Sequence, residues 1–122
     1  MKKAIALAWA TMLESGTIGQ TRGRNRDKNG MCVTAMLNNV HAVAHPAIAA
    51  KQKDPSVYLG SSYGVALEVK KWSGIKSHVG CFGKGPSLMH FGVRHPSLMS
   101  ANDSGVSFKE LAAYISKNYA TL

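Results

Sequence analysis

The sequence predicts one small α+β domain over residues 1–122, with about three helices packed on a small antiparallel β element. Three observations carry that expectation. Apolar residues recur at helical spacing near both ends and in the middle of the chain. A turn signal, Asp27-Lys28-Asn29-Gly30, and a stretch from 75 to 99 punctuated by Gly and Pro supply short β pieces between them. The composition, 45% apolar and 17% charged over 122 residues, is that of a globular domain large enough to hold a core without staples.

Each element has its own reason. Ile5, Trp9, Met12 and Leu13 form one stripe of a helix over 3–15, ended by Ser15-Gly16. Arg22, Arg24, Arg26 and Lys28 alternate through the next segment, so in an extended strand they would share a face. Asn29-Gly30 supplies the positive φ values that close a hairpin. Residues 32–44, rich in Ala, Met, Leu and Val, read as a buried helix that ends before Pro46, which can open a short second helix. A helical turn over 65–72 is stopped by Gly74, and 87–93 reads as β. Asn102-Asp103-Ser104-Gly105 reads as a turn. Ser107 and Glu110 then form a capping box for a helix carrying Phe108, Leu111, Ala112 and Ile115. Trp9, Met36, Leu37, Phe108, Leu111 and Ile115 are the expected core.

Charge points to the class of partner. Fifteen Lys and Arg stand against six Asp and Glu, a formal net charge of +9. Such a chain attracts phosphates, nucleic acid or acidic protein surfaces. The expected ligand-binding residues are Arg22, Arg24, Arg26 and Lys28 on the hairpin, with Lys70, Lys71 and Lys84 as a second basic group beside Lys76. Arginine forks grip phosphate or carboxylate through two hydrogen bonds at once. The 80–87 stretch resembles a phosphate loop but has His78 where the Walker pattern needs Gly, which leaves a generic nest of backbone N–H groups as its only anion-binding reading.

Catalytic and metal readings are weaker in residue content. Cys32 at a predicted helix N-terminus, paired with His78 or His90, would make a cysteine nucleophile, which is the alternative to a binding role. His41 and His45, four apart on a helix, have zinc-ligand spacing but no CxxC or HExxH companion, so neither a metal nor another cofactor is expected. The six carboxylates form no obvious acid/base pair. Two cysteines, Cys32 and Cys81, are expected as free thiols. The N-terminus, Met1-Lys2-Lys3 before Ala4–Leu7, is too short in its apolar part for a signal peptide, and no run is long enough to span a membrane. A cytoplasmic protein without a membrane partner is the expectation. The sequence fixes no oligomeric state.

The order of four blocks carries a resemblance. Trp9, Leu13, Ser15-Gly16 and Gln20 come first. The basic stretch then runs into Cys32 at the head of an apolar helix. Residues 65–75 (VALEVKKWSGI) and 98–115, with Asn102-Asp103, Gly105 and Ser107-Phe108, complete the order. This order resembles a widespread set of small uncharacterised proteins encoded by bacteriophages and prophages. The chain departs from that set in having Cys32-Val33-Thr34 where members often have Cys-Leu-Gly. The resemblance implies a phage or prophage origin and a bacterial cytoplasm, and it transfers no catalytic residues. A non-enzymatic phage accessory protein that binds an anionic partner, so as to counter or redirect a host system, is the function expected. A self-assembling structural protein is a further alternative.

Overall fold

The computed structural model describes all 122 residues and shows a small α+β domain. Helix α1 (Lys3–Glu14) buries Ala6, Trp9, Ala10 and Leu13, one stripe at intervals of three and four. A loop leads into strand β1 (Arg26–Asp27), which turns back as β2 (Gly30–Met31). Helix α2 (Val33–Ala44) follows, buried along most of its length, and α3 (Pro46–Ala49) begins on the proline. Helix α4 (Leu67–Ser73) ends at Gly74, whose φ of 75° is the left-handed helix stop that the sequence placed there. Strands β3 (Leu88–His90) and β4 (Val93–His95) form a second hairpin. Helices α5 (Leu98–Asp103) and α6 (Phe108–Asn118) close the chain.

The core is helix on helix. Helix α1 lies against α6 and α2, and α2 in turn meets α3, α4 and α5. All six expected core residues are less than a tenth exposed. Burying a Leu or Ile side chain of this kind contributes about 1.5–3 kcal/mol. Trp9 satisfies its buried indole by donating to the Val33 carbonyl at 3.0 Å, which ties α1 to the head of α2. The capping box is present in both directions: Ser107 accepts from the Glu110 N–H, and Glu110 accepts from the Ser107 N–H.

Three details differ from expectation. The fold has six helices rather than about three, and its β content is two separate two-stranded hairpins rather than one element. Helix α5 was not anticipated, and Asn102-Asp103 form its last turn instead of opening a loop. Its signal was Ser97, whose side chain accepts from the Ser100 N–H as an N-cap, hidden among glycines and prolines. The arginine strand is shorter than the alternation implied. Pairing begins only at Arg26, opposite Met31. Residues 22–25 bend instead, because Gly23 takes a φ of 73° and its N–H is captured by the Asp103 carboxylate at 2.9 Å.

Candidate functional site

Once the strand is broken at Gly23, the arginines stop sharing a face. All three are exposed. Arg22 lies over Gly105, its guanidinium 3.5 Å from where a β-carbon on that glycine would stand. Arg24 borders a small dimple with Cys32, Tyr63 and Asp103. Arg26 stands on the rim of a cleft of about 280 Å³. Lys28 is exposed at the hairpin turn, while Lys70 and Lys71 occupy the last turn of α4, where a cation suits the carbonyl end of a helix. Lys84 is exposed in the 83–86 loop. The structure thus brings only Arg26, of the predicted set, to the cleft. Lys76 has a structural post: its ammonium donates to the carbonyls of Ala120 and Thr121.

The cleft is built where three segments meet. Its inner wall is α2, which presents the small side chains Ala35 and Ala42 and the amides Asn38 and Asn39. The β1–β2 hairpin contributes Arg26 and Met31. The 49–58 segment contributes the opposite wall and is folded back by its own side chains. Gln52 accepts from the Leu59 N–H at 2.9 Å and donates to the Ile48 carbonyl, and Asp54 accepts from the N–H and hydroxyl of Ser56. Those two bonds from Ser56 hold the Asp54 carboxyl below its ordinary range, so it is charged at neutral pH. Lys53 lines the same wall as an exposed side chain. The rim therefore carries two cations and one carboxylate around a partly apolar floor. Sequence reasoning missed Lys53, Asp54 and Tyr58 here. Their only trace in the sequence is Lys51 and Lys53, two apart, beside Asp54-Pro55.

The other constellations resolve differently. Cys32 is the N-cap of α2 and is buried. Its sulfur accepts from the Ala35 N–H, lies 3.1 Å from the Thr34 hydroxyl and donates to Asn25, so no histidine is among its partners. The His78 ring instead neighbours Tyr63, and the His78 carbonyl accepts from the Val65 N–H. The backbone N–H groups of Gly80, Cys81, Phe82 and Gly85 are committed within the fold, which narrows the anion-nest reading of that loop to the N–H groups of Gly83, Lys84 and Ser87. His41 and His45 do approach, with ring centroids 4.2 Å apart, and His41 is buried. It meets the Tyr58 hydroxyl at 2.8 Å and the edge of Trp72. Burial, helped by the neighbouring His45, lowers the His41 pKa, with Glu68 opposing. No third Cys, His, Asp or Glu joins the pair to complete a metal site.

Behind the cleft, buried amides fix the whole basic segment. Asn102, fully buried, accepts from Gln20 and from the Val33 N–H and donates to the Thr21 carbonyl. Gln20 also donates to the Val106 carbonyl and accepts from the Phe108 N–H. Asn25 and Asn38 both bond Gly64. Each amide satisfies backbone groups that would otherwise be buried unpaired. Several residues that carried the resemblance in sequence, Gln20 and Asn102 among them, belong to this frame and not to the exposed rim.

Fold and surface together define a small basic α+β domain with one substantial cleft. Over residues 1–119 the chain matches the model of a domain of unknown function, DUF8296, and it belongs to that family. No curated protein and no solved structure matches it. No helix is long and apolar enough to cross a membrane.

Proposed function

We propose that this is a phage- or prophage-encoded accessory protein that binds an anionic partner without transforming it, and that the cleft between α2, the β1–β2 hairpin and the 49–58 segment takes the partner's phosphate or carboxylate. The observation that carries the reading is the convergence of Arg26 and Lys53 on one concave rim in a chain of net charge +9. Arginine supplies a two-pronged grip and lysine a point charge, while the small alanines leave room for the uncharged part of a ligand. A cleft of about 280 Å³ suits a ligand of roughly mononucleotide size or one unit of a polymer. The phage origin rests on the block order alone.

The test is a thermal-shift panel of ribonucleotides and cyclic dinucleotides, together with retention on heparin as a polyanion probe. A phosphorylated compound is expected to raise Tm in a salt-sensitive manner. Arg26→Gln with Lys53→Gln should remove that shift and weaken binding by roughly 3 kcal/mol, about 1.5 for each charged hydrogen bond. Arg22, Arg24 and Arg26 changed together to Gln should shorten heparin retention more than the same change at Lys2, Lys3 and Lys117. No shift with any compound, and equal retention of the two triple variants, would refute the reading.

A further inference from the structure

The β3–β4 hairpin shares no residue with the cleft and has a different character. Phe91 at its tip is 93% exposed, and Met89 and Val93 are more than half exposed. The register sets Met89 opposite Arg94, so thioether and guanidinium stand side by side, both exposed. Phe91 and Gly92 are both left-handed, with φ of 48° and 76°, as in the tight turns that ordinarily take Asn, Asp or Gly at the first position. A phenylalanine is misplaced there on backbone grounds. Its one aromatic neighbour is His90, in a T-shaped arrangement with ring centroids 4.4 Å apart. A large apolar side chain that suits neither its backbone nor the solvent around it is accounted for by a contact outside the chain.

We propose that this hairpin is a docking finger that seats Phe91 in an apolar socket with an acidic rim on a partner protein. Composition selects the class of partner. Phe, Met and Arg are the residues enriched at the centres of protein interfaces, where Lys and carboxylates are depleted. Residues 87–97 contain no Lys, Asp or Glu and only one permanent charge, Arg94. A nucleic-acid groove or an anionic bilayer would call for several cations around the aromatic side chain. Charge selects the rim. Arg94 is the hairpin's own permanent cation, and the 81–85 loop bonded to its root adds Lys84 and no carboxylate. Glu110 is engaged by the N–H and hydroxyl of Ser107, which hold its carboxyl below the ordinary range. A complementary surface is therefore acidic. A second copy of this chain, also at +9, meets it with like charge.

The experiment places the photoreactive analogue p-benzoylphenylalanine at position 91 and irradiates the full chain in an extract of the bacterium that carries the gene. Any cross-linked protein is identified, purified and titrated against the unmodified chain. The expected result is a cross-linked peptide with apolar residues flanked by Asp or Glu. Phe91→Asn should then weaken binding at least about thirtyfold, while its Tm stays equal or rises, because Asn suits the turn. Arg94→Glu should weaken binding about tenfold or more. The Arg26→Gln, Lys53→Gln double variant should bind this protein normally, which keeps the outcome separate from that of the cleft. Cross-linking only to a second copy, to nucleic acid or to lipid overturns the proposal. So does the absence of any cross-link, or a captured protein that Phe91→Asn binds as tightly as before.

Discussion

The molecule has two short antiparallel hairpins, and they are held in opposite ways. The β1–β2 hairpin is stitched down on every side. The Met31 N–H donates to the Gly19 carbonyl, the Thr21 N–H to the Met31 carbonyl and the Cys32 N–H to the Asn25 carbonyl. Its one carboxylate, Asp27, is held below its usual range by the Thr21 hydroxyl and by the Asn29 N–H. The β3–β4 hairpin is joined to the body mainly at its root, where His95 is buried, Leu88 packs on the core and Cys81 bridges Ser97, and Phe91 at its tip stands free. The clamped hairpin offers a charged side chain to a preformed concavity. The free one offers apolar side chains to the outside. Rigid backbone suits a site that must place one guanidinium, and a protruding loop suits a contact made with a surface elsewhere.

Two glycines put the contrast at its sharpest. A β-carbon on Gly30 would land on the Gly19 carbonyl, and its φ of 147° is itself foreign to alanine. Gly30→Ala should therefore displace β1–β2 and lower stability by roughly 3 kcal/mol or more, as judged by urea unfolding. At Gly92 a β-carbon meets nothing within 4 Å, so Gly92→Ala should lose only about 1 kcal/mol for its left-handed backbone. Equal losses at the two positions would break the distinction between a clamped and a free hairpin.

Asn102→Leu tests the clamp from behind and should rank near Gly30→Ala. It strands the Val33 N–H and the Thr21 carbonyl, both buried, and one hydrogen of the half-buried Gln20. At about 1–3 kcal/mol for each stranded group, a loss of roughly 3 kcal/mol or more is expected, with heparin retention falling as the basic segment loosens.

The smallest effect comes from pH and reaches the cleft from beneath, through Tyr58. His41 has a lowered pKa in the fold, so the unfolded chain binds the proton more readily. The stability it confers is complete above its ordinary value of 6.5 and drains away as pH falls through that value towards the lowered one. Tm should be lower at about pH 5.5 than at about pH 7.5, and His41→Gln should flatten that slope. Asp27, Asp54 and Glu110, with ordinary values of 3.8, 3.8 and 4.5 lowered further, lose their contributions only in stronger acid.

What was legible in the sequence was local. The Ser107–Glu110 capping box, the Gly74 stop, Pro46 at the head of α3, the buried α2 and the apolar stripe of α6 are each decided within a few residues, and each appears as read; in α1 the buried stripe is Ala6, Trp9, Ala10 and Leu13, with the expected Ile5 and Met12 only half-buried at its edge. The β1–β2 hairpin is also where the turn signal put it, with Lys28 at its tip, but its central residues are Lys28 and Asn29, and the positive φ falls on Gly30 alone. The alternating arginines misled because alternation specifies a face only if the backbone stays extended, and a hydrogen bond from Gly23 to Asp103, eighty residues away, bends it. The partnership of Arg26 with Lys53 was invisible for the same reason: it exists only once α2 and α3 have turned the chain back. Phe91 gave no periodic signal at all, since an exposed apolar tip looks in sequence like any strand residue.

The two thiols have fates that turn out to be useful at the bench. Cys32 is capped inside the fold and Cys81 is exposed. A maleimide dye near neutral pH should couple to Cys81 alone, which gives the unmutated chain a single optical reporter. Because Cys81 is bridged to Ser97, that dye sits at the root of the free hairpin, where its anisotropy can follow whatever settles on the tip.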